Sequence, residues 1–153
     1  MTVIQFNLRH VLSAAIALTS LCAIAGGATA DQAAVRHVLM AEFDKPEARL
    51  QVEPVVVVGD AALAGWAQGE RGGRALLLRH GTRWQIAMCG GDGLKDERVL
   101  RDAGIKPATA GALARGLAAA EASLPVAHRA RFSTFDGLLR MNSSGLHTSP
   151  HKH

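Results

Sequence analysis

The apolar residues of the chain are densest between residues 55 and 93, where glycine-rich turns separate short apolar runs. Runs of this length that are rich in β-branched residues and bounded by glycines are typical of antiparallel hairpins. The pattern predicts four successive strands, at 50–58, 61–68, 74–80 and 83–89. Pro54 interrupts the first of them, as expected of a strand at the edge of a sheet.

The last hairpin can be assigned a register from its turn. Gly81 and Thr82 would form a two-residue turn, with Gly81 at the first central position that a type II′ turn favours. The strand pairs are then His80 with Arg83, Leu78 with Gln85, Leu76 with Ala87 and Arg74 with Cys89. Because side chains alternate between faces, the more apolar face, expected to lie in the core, carries Ala75, Leu77, Trp84, Ile86 and Met88. Cys89 would lie on the other face.

Helical patterns flank these strands in the sequence. Residues 31–43 have the apolar spacing of an amphipathic helix, with Asp31 as N-cap or first-turn acid. The later helical segments are 94–103, 110–123 with Thr109 as its cap, and a short turn at 126–131. Residues 132–141 are expected to be a last ordered segment, with a strand as one option. The predicted fold class is α+β, with an N-terminal helix, a four-stranded antiparallel meander and C-terminal helices.

The first thirty residues have the pattern of a secretory signal peptide. They contain one basic residue (Arg9), no acid, and an apolar run that ends in the small-x-small sequence Ala28-Thr29-Ala30. We expect cleavage before Asp31, with a retained membrane anchor as the alternative. The predicted organisation is a signal peptide at 1–30, one domain at 31–141 and a flexible polar tail at 142–153, and the predicted location is the periplasm.

Charge and composition argue against a nucleic-acid partner. Arg9 is the only one of the 17 Lys and Arg residues that leaves with the signal peptide, and all 13 acids remain, so the formal charge falls from +4 to +3. The basic residues are scattered and the chain has no Tyr. Clustered basic residues are the usual electrostatic signature of a nucleic-acid-binding surface. The basic residues are therefore interpreted as solvated surface.

Cleavage would also remove Cys22 and leave Cys89 as the single cysteine. An exported protein with one cysteine cannot form an internal disulfide. Three roles for Cys89 remain open at this stage: a buried small hydrophobic residue, an intermolecular link, or a soft metal ligand.

The tail offers the best candidate metal ligands. A thioether selects Cu(I), imidazole suits Cu, Zn and Ni, and short His-rich tracts are a compositional sign of metal binding. The predicted ligands are Met141, His147, His151 and His153. Met88 and Cys89 form a second soft pair, although strand alternation directs their side chains to opposite faces. Because no nucleophile-elbow, zinc-protease or paired CxxC motif occurs, we expect a protein without catalytic activity.

Three segments resemble a family of small exported bacterial proteins called copper uptake system-associated proteins. They are residues 34–84, from AVRHVLMAEF to GTRW, the turn CGGDGL at 89–94, and LPVAHRARFSTFDGLLRM at 124–141. The resemblance implies copper handling in the periplasm, with another periplasmic or membrane copper protein as partner. It implies no catalytic mechanism and no set of ligands.

Two alternatives remain. The order of helix, meander and helices is also similar to cystatin-like and NTF2-like folds, in which a curved sheet wraps a helix. Such a sheet could hold a small molecule in its mouth, with polar contacts from Gln68, Gln85 or Arg74. The second alternative is a protein-binding module that docks a partner at the sheet edge. Arg49 and Pro54 near that edge argue against it.

Overall fold

The computed structural model describes residues 23–141, with side chains from residue 29 onward. The helices are α1 (Ala23–Phe43), α2 (Glu97–Asp102), α3 (Pro107–Ala122) and α4 (Val126–Arg131), and a short 3₁₀ turn lies at Asp92–Lys95. The strands are β1 (Leu50–Val58), β2 (Ala61–Gln68), β3 (Arg71–His80), β4 (Arg83–Gly90) and β5 (Leu138–Arg140). This order confirms the predicted α+β fold class.

The five strands form one antiparallel sheet in chain order, β1-β2-β3-β4-β5. Each of the first three hairpins closes with a two-residue turn whose first residue is a glycine. Gly59, Gly69 and Gly81 have φ angles of 61°, 60° and 63°. An L-residue with a side chain rarely adopts such angles, so these glycines fix the three hairpin turns. The predicted position of Gly81 is confirmed.

Both faces of the sheet are buried, which a single amphipathic pattern does not predict. On one face, Val35 and Leu39 of α1 pack in a core cluster with Leu77. On the other, Leu113 and Leu117 of α3 share a cluster with Leu76. Adjacent strand residues such as Leu76 and Leu77 are therefore both fully buried. This burial on two sides explains why residues 75–78 of β3 form a continuous apolar run rather than an alternating pattern.

The register predicted for the last hairpin is correct near its turn and wrong beyond it. Leu77 pairs with Ile86, but Leu76 pairs with Met88, so Ala87 is an extra residue in β4. Such a β-bulge leaves one residue unpaired and changes the face on which the following side chains lie. Met88 consequently joins the α3 side of the sheet, and Cys89 joins the α1 side. The sequence gives no sign of the bulge because residues 86–89 are all apolar.

Helix α1 begins upstream of the predicted start, so Asp31 lies inside the helix and is not its N-cap. Its carboxylate instead accepts hydrogen bonds from Arg79 Nη1 at 2.8 Å and from Trp84 Nε1 at 3.4 Å. Arg79 also donates to Asp60 at 2.9 Å. These bonds tie α1 to β3, to β4 and to the first hairpin turn.

The fifth strand extends the predicted four-stranded meander by three residues. In β5, Leu139 pairs with Cys89 of β4. The approach of this C-terminal segment depends on glycines, since a Cβ atom on Gly91 would collide with the backbone oxygen of Phe135. The cluster at 90–93 therefore makes room for the chain that packs beside it.

The C-terminal helices start with different residues from those expected. Asp96 caps α2 by accepting a hydrogen bond from the N–H of Arg98 at 2.8 Å. Helix α3 begins at Pro107, so the predicted cap at Thr109 is wrong. Proline suits the first helical position because its missing N–H would have no partner there. Within residues 23–141, no helix is both long and apolar enough to cross a lipid bilayer.

Candidate functional site

A cleft of about 120 Å³ opens on the α1 side of the sheet, near the C-terminal end of α1. Its walls are mostly apolar and aromatic. They comprise Phe43, Leu50, Trp66, Gln68, Cys89, Phe135, Leu139 and Met141. We call this feature the Cys89 cleft. It contains two of the ligands predicted from the sequence, Cys89 and Met141, which are 52 positions apart along the chain.

The bulge in β4 and the pairing of β5 bring these two sulfur-containing side chains together. Cys89 pairs with Leu139, and Met141 follows Leu139 by two residues, so the three side chains are on the same face. The N–H of Met141 donates a hydrogen bond to the carbonyl of Ala87, the bulged residue, at 2.9 Å. Met141 is therefore the diagonal neighbour of Cys89. Diagonal neighbours are within reach of one another when a side chain is long.

The Cys89 side chain is buried and carries a protonated thiol at neutral pH. Its exposed fraction is 5%, and burial raises the pKa of the thiol to about 11. Cys89 is a free cysteine, and its thiol makes no hydrogen bond to the described residues. The low fraction of thiolate makes it a poor nucleophile. A cation that displaces the proton would nevertheless find a ligand already facing the cleft.

Gln68 is the other polar group of the cleft, and its amide nitrogen is already used. Gln68 Nε2 donates to the carbonyls of Phe43 at 2.8 Å and Ala48 at 2.7 Å. These bonds hold the end of α1 and the following loop against β2. Of the three polar groups expected to converge in a small-molecule pocket, only Gln68 lines this cleft. Gln85 is exposed.

Arg74, the third of those groups, lies on the opposite face in a buried ion pair. Its exposed fraction is 2%. Nε and Nη2 donate to the two carboxylate oxygens of Glu121 at 2.6 and 2.8 Å, and Nη1 donates to Asp92 at 3.2 Å. The guanidinium also stacks on Phe132, with 5.4 Å between Arg74 Cζ and the ring centroid. Arg74 is fully engaged in joining β3 to α3 and to the segment after α4.

This ion pair was not predicted from the sequence, although one signal for it was present. Glu121 continues the buried stripe of α3, which runs through Ala110, Leu113 and Leu117 at helical spacing. A single acid on a buried stripe requires a buried cation, because an unpaired charge there is very costly. Arg74 was the matching candidate, because it is a basic residue directly next to the apolar run at 75–78 of β3.

The other predicted ligands fall into two groups. Met88 is 2% exposed and packs in the α3-side core, so it does not face Cys89. His147, His151 and His153 lie outside the described residues. Met141 is the last described residue, so the segment that carries these histidines follows directly from the cleft wall. Among residues 23–141, no group of three or more His, Cys, Asp and Glu could hold a metal ion.

Comparisons of the chain with protein-family models, curated proteins and solved structures found no match. A fold alone does not determine a function. The function therefore has to be inferred from the Cys89 cleft and the residues that continue from it.

Proposed function

We propose that this protein is an exported copper-handling accessory protein of a copper uptake system, which binds and passes copper without catalysis. The observation that supports this most is the meeting of Cys89 and Met141 in one cleft. Thiolate and thioether are the side chains that select Cu(I). Met141 also leads directly into the segment with His147, His151 and His153, and imidazole suits copper in either oxidation state.

The burial of Cys89 fits a metal ligand in an oxidising compartment. An exposed thiol in the periplasm is readily oxidised or joined to another thiol. Burial raises the pKa of this thiol to about 11, which keeps it protonated and slow to react. A buried thiol can thus persist in an exported protein and remain available to a small ion that enters the cleft.

Passing copper to a partner requires ligands that can be exchanged. We propose two sets of ligands. The cleft would hold the copper ion, and the imidazoles on residues 147–153 would be the first ligands to contact the partner. The partner class is another periplasmic or membrane copper protein. Transfer would proceed by exchange of one ligand at a time, so the ion is never released to water.

A small-molecule pocket remains the second candidate because the cleft is lined so largely by apolar and aromatic side chains. Such walls with few polar groups are typical of ligand sites. The volume of about 120 Å³ is well below the roughly 300 Å³ at which drug-sized sites begin. Any such ligand would be small, with Gln68 as its polar contact.

A copper titration tests the proposal. Residues 31–153 are compared with a version that ends at Asn142, under reducing and oxidising conditions and with a competing chelator. We expect both to bind Cu(I), and only the longer protein to bind Cu(II) tightly. If the longer protein binds no copper under both the reducing and the oxidising condition, the copper function is refuted and the pocket candidate is favoured.

A further inference from the structure

The polar atoms of the Cys89 cleft are few, and none of its side chains is an acid. Apart from the sulfurs of Cys89 and Met141 and the amide of Gln68, the lining side chains are hydrocarbon or aromatic. We infer that the cleft holds one monovalent copper ion, Cu(I), between the Cys89 thiolate and the Met141 thioether. The inference deepens the proposed copper function and rests on it.

Charge balance is the reason for the monovalent ion. A Cu(I) ion bound to one thiolate and one neutral thioether is uncharged in total, so it can occupy an apolar cleft at small desolvation cost. A Cu(II) or Zn(II) ion with the same ligands leaves one net positive charge. Burying such a charge without a compensating partner is strongly unfavourable. The lining offers no carboxylate to compensate it.

The positions of the two sulfurs fit a low coordination number. With metal–sulfur bonds of about 2.3 Å, as in zinc thiolates, two sulfurs on one ion are at most about 4.6 Å apart. Cys89 and Met141 are diagonal neighbours in the β4–β5 pair, with Cβ atoms roughly 7 Å apart in that arrangement. The unbranched Met side chain has three rotatable bonds and can close the remaining distance.

The binding step exchanges a proton for the ion and transfers no electron. The S–H bond of Cys89 breaks, a sulfur–copper bond forms, and the proton leaves to water. Copper must therefore arrive as Cu(I). No reductant is needed within the protein, and Cys89 keeps its oxidation state.

Trp66 provides a local reporter for an ion in this position. It lines the cleft and packs edge-to-face on Phe135, with ring centroids 5.9 Å apart. The second tryptophan, Trp84, belongs to the core under α1 and donates to Asp31. A copper ion in the cleft should quench the emission of Trp66, and a Trp66→Phe variant should lose this response.

The test is an anaerobic Cu(I) titration of the protein against a chelator that competes for Cu(I), with fluorescence read in parallel. Cys89→Ala is expected to lower the Cu(I) affinity of the quenching site by about 100-fold or more, and Met141→Leu by about 10-fold. The matched control is Met88→Leu, the same change one residue from Cys89 but on the opposite face, which should leave affinity and quenching unchanged. Zn(II) should neither quench nor displace Cu(I).

The possible outcomes distinguish failure of the cleft site from failure of the proposed copper function. If copper binds but Cys89→Ala and Met141→Leu both leave affinity and quenching as in the wild type, the cleft site is refuted and the copper function is not. Equal competition by Zn(II) would refute the selection for a monovalent ion. If the unaltered protein binds no copper, both fail. Should Cys89→Ala not fold, the partly buried Met141 still provides the deciding variant.

Discussion

At the scale of single residues, two buried side chains with polar atoms lie on opposite faces of the sheet, Arg74 on the α3 side and Cys89 on the α1 side. Arg74 is matched in charge by Glu121 and is held by at least four hydrogen bonds. Cys89 has no such partner among the described residues and faces a cleft. The guanidinium of Arg74 is therefore satisfied by groups within the fold, whereas the sulfur of Cys89 is available to bind a ligand in the cleft.

Removal of the Glu121 carboxylate should destabilise the protein strongly. Glu121→Ala leaves the Arg74 guanidinium buried with only the more exposed Asp92 as counter-charge. Breaking a buried pair in this way costs about 3–5 kcal/mol. The free energy of unfolding, from urea denaturation, is the measurement. Glu70→Ala, at an exposed acid in a hairpin turn, is the control and should change it by less than about 0.5 kcal/mol. Equal effects of both changes would contradict the structural role of the pair.

The raised pKa of Cys89 makes stability depend on alkaline pH. The folded state holds the thiol proton up to about pH 11, whereas the unfolded chain releases it near pH 9.0. The contribution of the protonated Cys89 thiol to the free energy of unfolding is therefore complete below pH 9 and is lost as the pH rises from 9 to 11. The loss is at most about 2–3 kcal/mol.

The comparison that isolates this effect is the unfolding free energy of the wild type and of Cys89→Ala at several pH values. The chain has no Tyr, and the lysines, which also titrate in this window, are the same in both proteins, so their effect cancels in the difference. The difference between the two proteins should decline by about 2–3 kcal/mol between pH 9 and 11. A difference that stays constant would show that the thiol ionises as easily in the folded protein as in water.

At the scale of elements, the sequence predicts the turns and the order of helices and strands, but not the irregular pairing or the contacts between distant residues. The three glycine turns fix the hairpins, and the fold class follows from the order of apolar patterns. The bulge at Ala87 could not be predicted, because an extra residue within an apolar run does not alter the pattern of polar and apolar positions. The contact of Arg74 with Glu121 joins residues 47 positions apart, and no periodicity within one element reveals such a pairing. Cys89 was thus placed on the wrong face.

The packing of the C-terminal segment on the glycine cluster should be sensitive to one methyl group. In Gly91→Ala, the new Cβ would overlap the backbone oxygen of Phe135, so the segment that leads into β5 has to move. In Gly93→Ala, the nearest atom belongs to the flexible Leu138 side chain, at 3.3 Å. Overpacking against a fixed group costs about 1–3 kcal/mol.

Guanidinium denaturation of these two variants compares the same change at nearly the same place. Gly91→Ala should shift the midpoint to clearly lower denaturant, and Gly93→Ala should shift it little. Because Phe135 also lines the Cys89 cleft, the first variant should change Trp66 emission as well. The reverse order of stabilities would mean that the glycines serve backbone conformation rather than close approach.

At the scale of the whole molecule, the sheet is buried on both faces, and the Cys89 cleft opens near the end of α1. The sequence predicted Met141 and Cys89 as soft ligands in separate places. Their meeting depends on two features. One is β5, for which a strand was only one of the predicted options, and the other is the bulge in β4, which was not predicted. The histidines at 147–153 lie outside the described residues, and their part in the site stays a prediction.

The predicted export concerns the whole chain, and cleavage of the predicted signal peptide should be measurable. We expect protein recovered from the periplasm of a bacterial host to begin at Asp31, whose carboxylate is held by Arg79 and Trp84. Intact mass and N-terminal sequencing read this directly. Replacing Ala28 and Ala30 by Leu should block cleavage, since the site requires small residues. A full-length chain in the membrane fraction of the unaltered protein would instead support a retained anchor.

The most direct test of the copper account is X-ray absorption at the copper edge of the protein loaded with one equivalent of Cu(I). We predict a monovalent edge and sulfur scatterers at about 2.3 Å, the length typical of metal–thiolate bonds, with the sulfur signal reduced in Cys89→Ala. A first shell made only of nitrogen or oxygen, unchanged by that substitution, would contradict it and move the copper away from the cleft.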